Sequence, residues 1–417
     1  MRIIRAAWAL PAVLLLVAGC GQVHGGGSVA GGDYKLFEAA STKQSALLAV
    51  IDSRTHTTER TLPIGTPSAD WRHLYSVTSG SLVDTDPATG AVVHSVALPG
   101  PYGLPNATMS GVPGGLSQNG RWLVLLMWDR NLGLTTATHL LLFDTSLSSR
   151  PTRVDLNGNF EFDAISNDGL HLYLIEYLGG SDYRVRVFDV SAGRLDPQIV
   201  ADKENASESM TGSRVMGVPS ADGQWLYSVY VRQKSGAFIH ALNLDGGFAF
   251  CIDLPGSGYE TNGDEFSWSI ALSPDGGRLY AANAAMGVVS EIDTHGPSLV
   301  RTVRLPSGPA VTSPLFKDVA AKAFGANGTV ISPDGRTLVT VGVSSVLWID
   351  AATLQVRASA LTGWRVWSLG LSPDGRTLYV LRDSGAIAQV SMAGHNLEDT
   401  FNPGAGDPMA LMRVAPA

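Results

Sequence analysis

The 417-residue sequence predicts an all-β fold made of repeated units. The phrase LSPDGRTLYVL at 371–381 has close copies at 272–280 (LSPDGGRLY) and 331–339 (ISPDGRTLV). Weaker copies with the same turn and following strand stand at 219–227, 165–173, 116–124 and 68–75. Seven copies at intervals of roughly 40 to 60 residues indicate a repeat architecture.

Each repeat has the pattern of four short antiparallel strands. In 366–390 the apolar strand WSLGLS precedes the turn Ser-Pro-Asp-Gly, whose residues favour tight turn geometry. The strand TLYVL follows, and after a second turn comes the strand AIAQV. Other copies add a fourth strand, such as SLVRTVRLP at 298–306. Four strands of this size form one twisted blade, and blades repeated around an axis form a β-propeller.

The number of blades follows from the third strands. Eight candidates stand at 47–52, 81–85, 140–144, 185–189, 238–243, 288–293, 346–350 and 386–390. The N-terminal segment supplies three strands with none before them, and DPMALMRVAP at the C-terminus is expected to be the missing innermost strand. Pairing the two ends would close the ring and remove its open sheet edges. Little room separates RTLPIG from SADWRHLY, so seven blades is the alternative if those strands merge.

The N-terminus predicts export and a lipid anchor. Residues 1–20 contain two arginines, an apolar run and the ending Val17-Ala18-Gly19-Cys20, which resembles a bacterial lipobox. Lipid on Cys20 would hold the chain at a membrane on the extracytoplasmic side, in the cell envelope. An ordinary cleaved signal with an incidental cysteine is the alternative. Residues 21–32 then form a flexible Gly-rich tether, and 33–417 form the propeller.

Composition and motifs limit the chemistry. The formal net charge of −8 argues against a nucleic-acid partner. The sequence has no HxH, HExxH or cysteine-pair spacing, no nucleophile elbow, P-loop or dinucleotide fingerprint. We therefore expect no catalytic residue, metal or cofactor. The repeat aspartates Asp275, Asp334 and Asp374 are expected to stabilise their turns.

One stretch resembles a known repeat family. Residues 44–65, QSALLAVIDSRTHTTERTLPIG, together with SPDGRTLYV, are similar to the YVTN-type propeller repeats of bacteria. WD-repeat, Tol-system and lactonase-type propellers share parts of this pattern. The resemblance covers nearly everything from Asp33 onward, and blades two to five follow it loosely. It implies the architecture and leaves the chemistry open.

A ligand site is predicted at the mouth of the channel. The loops from each fourth strand to the next first strand are long and irregular, at 98–114, 202–214, 254–267 and 305–327. Near these loops, the aligned innermost strands place six candidate ligand-binding residues: Glu161, Arg214, Trp268, Asn327, Arg365 and Trp367. Aromatic walls with a few polar groups are typical of ligand pockets. The alternative is core packing for the tryptophans and solvated positions for the charges.

Three functions fit these patterns. We expect a membrane-tethered binding propeller that holds an envelope protein or a small ligand at its loop-rich face without catalysis. The alternative is an enzyme of lactonase-like or quinoprotein dehydrogenase type, with Glu161 beside Arg214 or Arg365 as the best available pair. The third possibility is an assembly scaffold without a pocket.

Overall fold

The computed structural model describes residues 32–180, 182–200, 210–232, 235–256, 264–283, 285–305 and 327–417. From Asp33 onward these residues belong to one compact unit, Asp33–Ala417. The predicted signal segment and all but the last residue of the tether lie outside the described residues. Within them the chain is all-β apart from a 3₁₀ turn at Asp264–Phe266. No helix in this part of the chain is long and apolar enough to cross a membrane.

The strands form eight antiparallel sheets, which are the blades of the propeller. Blades 1 and 2 contain β1 (Tyr34–Ser41), β2 (Ala46–Asp52), β3 (Thr57–Pro63), β4 (Thr66–Pro67), β5 (Leu74–Thr78), β6 (Ser81–Thr85) and β7 (Val92–Ala97). Blades 3 and 4 contain β8 (Trp122–Asn131), β9 (Leu134–Asp144), β10 (Thr152–Asn157), β11 (Phe160–Ile165), β12 (His171–Gly179), β13 (Asp182–Asp189), β14 (Arg194–Val200) and β15 (Met210–Thr211).

The second half of the ring repeats this order. Blades 5 and 6 contain β16 (Ser213–Pro219), β17 (Trp225–Arg232), β18 (Gly236–Asn243), β19 (Phe248–Leu254), β20 (Ser269–Leu272), β21 (Arg278–Asn283), β22 (Val288–Asp293) and β23 (Ser298–Arg304). Blades 7 and 8 contain β24 (Thr329–Ile331), β25 (Thr337–Val341), β26 (Val346–Asp350), β27 (Val356–Ala360), β28 (Val366–Leu371), β29 (Thr377–Arg382), β30 (Ile387–Ser391) and β31 (Leu397–Phe401). The last strand is β32 (Asp407–Pro416).

The C-terminal strand closes the ring, as predicted. β32 is the innermost strand of blade 1 and pairs with β1 from Tyr34↔Pro416 to Ser41↔Asp407. The backbone N–H of Ala417 also donates to the carbonyl of Asp33 at 3.0 Å. The sequence prediction of eight blades is confirmed.

Two blades have a reduced innermost strand. In blade 2 it is only Thr66–Pro67, which explains why the sequence leaves so little room there. In blade 3 its place is taken by the segment before β8, which makes single β-bridges, Gly103↔Leu126 and Leu116↔Leu123. The inner wall of the ring is therefore least regular at these neighbouring blades.

Apolar layers between adjacent blades form the core. One buried cluster joins blades 5 and 6 through Val229, Trp268 and Leu279, and similar clusters join the other neighbouring pairs around the ring. A blade buries both faces, so its middle strands have nearly continuous burial, as in β18. The outer strand β7, at the edge of blade 2, is almost entirely exposed.

The repeated turn has one geometry in all seven copies. A serine hydroxyl donates to the acid or amide two residues later, in Ser68–Asp70, Ser117–Asn119, Ser166–Asp168, Ser220–Asp222, Ser273–Asp275, Ser332–Asp334 and Ser372–Asp374. In blade 7 the Ser332–Asp334 distance is 2.5 Å, and the N–H of Thr337 returns to the Ser332 hydroxyl at 2.9 Å. The Ser332 hydroxyl and the N–H of Arg336 lower the pKa of Asp334. The predicted turn-stabilising role of these aspartates is therefore realised in hydrogen bonds.

A buried acid lies in the closing blade. Glu38 is the central residue of β1 and is 0% exposed, and neither of its carboxyl oxygens has a hydrogen-bond partner among the described residues. Burial raises its pKa from an ordinary value of 4.5 to about 8. Between those values the folded chain keeps a proton that the unfolded chain releases. The free energy of unfolding therefore falls as the pH rises through this window.

Replacing Glu38 with glutamine should remove this pH dependence. Glu38→Gln resembles the protonated side chain, so we expect nearly equal stability at pH 4 and a gain of about 2–4 kcal/mol over the wild type at pH 8. Urea unfolding at both pH values measures the difference. Glu398→Gln, an exposed change on β31, is the matched control and should leave the wild-type pH profile intact. Parallel profiles for wild type and Glu38→Gln would contradict the assignment.

Removing one turn hydroxyl should cost stability without changing the fold. Ser332→Ala removes the acceptor for Thr337 and the donor to Asp334, and should lower the free energy of unfolding by about 1–2 kcal/mol. Ser149→Ala, at an exposed serine outside the repeat turns, is the control. Equal urea midpoints for the two variants would show that the turn does not depend on this serine.

Candidate functional site

A cavity of about 270 Å³ lies along the channel wall between blades 2 and 5. Its walls come from innermost strands and the segment before β8: they include Thr66, Pro67, Asn106, Pro113, Leu116, Ser117, Phe162, Asp163, Ala164, Arg214 and Gly217. A side chain at Gly217 would displace Ser228, because a Cβ at this position would lie 2.7 Å from the Ser228 hydroxyl oxygen. Most of the lining is apolar or small, with a few polar side chains, as is typical of small-molecule sites.

A loop crosses the mouth of the channel above this cavity. This strap, residues 105–114, folds back on itself through hydrogen bonds from Ala107 to Val112 and from Gly114 to Pro105, at 2.8 and 2.7 Å. The N–H of Met109 donates to the carbonyl of Val215, in the innermost strand of blade 5, at 2.9 Å.

The other end of the strap reaches the opposite side of the ring. Val112 packs against Ala39 and Ala410 of blade 1. Blades 1 and 5 are on opposite sides of an eight-blade ring, so a segment that contacts the innermost strands of both lies across the channel.

A buried ion pair joins the strap to two blades. Arg214 Nη1 donates to Asp163 Oδ1 at 2.8 Å, and Nη2 donates to the backbone carbonyl of Asn106 in the strap at 2.8 Å. The side chains of Arg214 and Asp163 are 12% and 0% exposed. Burial alone would lower the pKa of Arg214, but the nearby charges, Asp163 first, raise it above its ordinary value. Arg214 is thus a permanent cation bound by blade 4, blade 5 and the strap.

β-Bulges set the position of these side chains. The pairing of β11 with β12 shifts register between Phe162 and Ala164, and the pairing of β16 with β17 shifts between Arg214 and Met216. A bulge breaks the alternation of a strand, so Phe162, Asp163 and Ala164 all border the cavity. Bulges are common beside functional sites for this reason.

Glu161 lies at the edge of the same cluster. Its Oε2 accepts a hydrogen bond of 2.6 Å from the Tyr177 hydroxyl. Burial, and then the charge of Glu161, raise the pKa of Tyr177. Glu161 and Arg214 are the two predicted site residues that the fold brings together, although Arg214 forms its ion pair with Asp163.

The other four predicted residues are distributed over other parts of the ring. Trp268 is 2% exposed in the layer between blades 5 and 6. The indole N–H of Trp367 donates to the Met409 carbonyl at 2.8 Å, and the Asn327 amide donates to the Leu411 carbonyl at 3.0 Å. Both of these bonds attach to the closing strand β32. A role of these residues in ligand binding stays a prediction.

Arg365 belongs to blade 8, across the ring from Glu161. It forms an ion pair of 3.3 Å with Asp383, and half of its side chain is exposed. Of the two pairs expected for an enzyme, the fold therefore places only Glu161 and Arg214 in one cluster. Among the described residues, no group of three or more His, Cys, Asp or Glu is placed to hold a metal ion.

Sequence reasoning missed Asp163, Asn106 and Tyr177. Asp163 could have been noticed in FEFDAIS, where a second acid interrupts a strand predicted to be innermost. Asn106 contributes a backbone carbonyl, which leaves no signal in the sequence. Of the predicted long loops, 98–114 is described and contains the strap, while most of the other three lies outside the described residues.

Known proteins share this fold at low sequence identity. No protein-family model matches the chain, and no curated protein matches it. Among solved structures, apo AztD from Citrobacter koseri is 12% identical over 92% of this chain and 98% of its own, with a TM-score of 0.54. The dihydro-heme d1 dehydrogenase NirN in complex with DHE is 18% identical over 91% and 74%, with a TM-score of 0.50. The periplasmic gluconolactonase PpgL of Pseudomonas aeruginosa is 17% identical over 92% and 99%, with a TM-score of 0.43. The similarities to AztD and NirN support the β-propeller fold alone.

Breaking the buried pair should destabilise the protein and release the strap. Arg214→Met leaves Asp163 as an uncompensated buried charge, so we expect a loss of about 3–5 kcal/mol, partly restored in Arg214→Met/Asp163→Asn. Hydrogen exchange of the strap amides should accelerate in both variants, because both lack the bond to Asn106.

The exposed pair on blade 8 is the matched control. Arg365→Met breaks an ion pair of the same type in water and should cost less than about 1 kcal/mol, with no effect on the strap. Unchanged strap exchange in Arg214→Met would show that Arg214 does not hold the strap.

Proposed function

We propose that this chain is a membrane-tethered, extracytoplasmic propeller that binds a small ligand in the channel cavity. The observation that carries the proposal is the cavity itself: an apolar wall that contains one buried ion pair beneath a strap. A buried charged pair is costly unless its geometry is well satisfied, so its place in the wall of a cavity favours a binding role. The tether and its location rest on the lipobox-like ending at Cys20.

The polar groups of the cluster already form hydrogen bonds and an ion pair with one another, which favours binding over catalysis. Glu161 accepts a bond from Tyr177, and Asp163 and Arg214 are bound to each other. A general base must reach a substrate proton, and these groups are held by neighbours instead.

A protein partner is the second candidate, and the hairpin between β8 and β9 favours it. Leu132 at its tip is 98% exposed and Leu134 is 73% exposed, on the face that carries the strap. Leu178 on the next blade's hairpin is 45% exposed. Exposed leucines on neighbouring hairpins are typical of protein-binding surfaces.

The decisive experiment is to identify what co-purifies with the protein. Ala69 is exposed at the rim of the cavity, so Ala69→Trp should narrow it without disturbing the core. We expect mass spectrometry of protein purified from its native envelope to find a small molecule with the wild type that is absent from Ala69→Trp. Ala192→Trp, at an exposed alanine on an outer turn of blade 4, is the matched control and should retain it.

Other outcomes would redirect the proposal. A protein that is retained by Ala69→Trp and lost from Leu132→Asp/Leu134→Asp would move the function to the hairpins. Consumption of the small molecule during incubation would replace binding with catalysis. Absence of any small molecule from all variants would remove the proposal.

A further inference from the structure

One hairpin of the ring is longer than a blade requires. The strands β8 and β9 of blade 3 have 10 and 11 residues, whereas the corresponding strands β5 and β6 of blade 2 have 5 each. The last four residues of β8 are exposed, so the hairpin projects about 13 Å past the buried part of the strand, at about 3.3 Å per residue. Blade 2 is complete without this extension, so the extra length has another purpose.

The tip of this hairpin places a leucine where turn chemistry disfavours one. Asn131 pairs with Leu134, so Leu132 and Gly133 form a two-residue turn, with φ angles of 50° and 83°. Turns with two positive φ angles favour Asn-Gly, because a bulky side chain is strained in this region. Leu132 is also 98% exposed. A residue that is unfavourable both for its turn and for its contact with water indicates an apolar contact outside the chain.

Other apolar side chains are exposed beside this leucine. The hairpin patch consists of five exposed side chains on the β8–β9 and β12–β13 hairpins: Trp128, Leu132, Leu134, Tyr177 and Leu178. Hairpins of other blades on this face have polar tips, such as Ser79-Gly80 in blade 2 and Asp383-Ser384 in blade 8, or a single exposed valine, Val343 in blade 7. The apolar surface is therefore concentrated on blades 3 and 4.

The patch also carries one uncommitted charge of each sign. The Arg130 guanidinium lies 5.7 Å from the centroid of the Trp128 ring, and Asp182 is exposed at the start of β13. In the part of the chain that the structure describes, neither has an ion-pair partner, whereas Asp129 is bound by His139 at 3.1 Å. The two charges lie on different hairpins, so a second copy turned by 180° can place each charge against its opposite. A twofold contact requires such self-complementarity.

We propose that the hairpin patch is a self-association surface, through which the chain pairs with a second copy about a twofold axis. Leu132 and Leu134 of each copy contact the patch of the other, and Arg130 of each copy binds Asp182 of the other. The patch is small compared with the about 20–30 residues per partner of a stable interface, so we expect a weak pair, with a Kd on the order of 10–100 μM. This inference goes beyond the proposed ligand binding and does not depend on it.

Sedimentation velocity of the purified full chain in density-matched detergent measures the pairing. We expect the wild type to shift from monomer to dimer between about 1 and 500 μM. Leu132→Asn should weaken the dimer at least about tenfold, because it removes a leucine side chain from the contact in each copy. The same change gives the turn its favoured residue, so a damaged fold cannot explain the loss. Val343→Asn, an exposed apolar position on the blade 7 hairpin, is the matched control and should leave the dimer unchanged.

Charge reversal tests the twofold arrangement. Arg130→Asp alone places two acids against each other at both contacts, and Asp182→Arg alone places two arginines there. Each variant should pair at least about a hundredfold more weakly than the wild type. An equimolar mixture of the two should regain the wild-type affinity, because every charge then meets its opposite on the other copy. Neither a lipid surface nor a different protein partner predicts this recovery.

Several results would overturn the inference. They are a monomer at all concentrations, a dimer that Leu132→Asn and Val343→Asn weaken equally, and a mixture of the charge variants that stays monomeric. A monomeric wild type whose Leu132→Asn variant loses a different envelope protein would assign the patch to that protein instead. All variants keep the same N-terminal segment, so any association through the detergent is common to them. Ala69→Trp should form the wild-type dimer, so either proposal can fail without the other.

Discussion

The pairing of β1 with β32 is the constraint on which the rest of the structure depends. Each blade is a wedge that buries both faces against its neighbours, so the set of apolar layers is complete only when the ring is closed. Without this pairing, the layers on either side of blade 1 would lose an innermost strand, and two sheet edges would be open to other chains. Residues almost 400 positions apart therefore complete a single sheet.

The geometry of the candidate site depends on this closure of the ring. Ala410, which supports the strap, belongs to the closing strand, and the carbonyls that hold Asn327 and Trp367 belong to it as well. Glu38 sits in the same blade. With a pKa of about 8 it is mostly protonated at pH 7, so the closing blade carries no net charge at this position near neutrality. The ring and the channel mouth are thus coupled through one sheet.

The four blades that border the site all depart from the regular repeat. Blades 2 and 3 have short or replaced innermost strands, and blades 4 and 5 have bulges in theirs. The cavity lies along these four blades. Regular repetition builds a uniform wall, whereas a missing strand or an extra residue creates space and places a polar side chain beside it. Blade 6 instead places Trp268 in an apolar layer, and the bulge in the innermost strand of blade 8 places Trp367 against the closing strand.

The sequence by itself determined the architecture of this protein, because a propeller blade is local. Turn residues such as Ser332 and Asp334 act within five positions, and the alternation of short apolar strands between them is visible without any long-range information. The eight third strands, the repeated turn and the role of DPMALMRVAP as the closing strand could all be predicted in this way. Glu161 and Arg214 could also be placed near the channel mouth by aligning the repeats.

Only the tertiary structure decided which of these side chains meet. Whether Arg214 contacts Glu161 or Asp163 depends on two bulges and on the angle between two blades, and neither is fixed by a spacing in the sequence. The Asn106 carbonyl and the path of the strap depend on contacts with blades 1 and 5, which are far from the strap along the chain. Local hydrogen bonds specify a repeat, whereas a site between repeats arises from packing across the ring, and for that reason it became visible only in the folded chain.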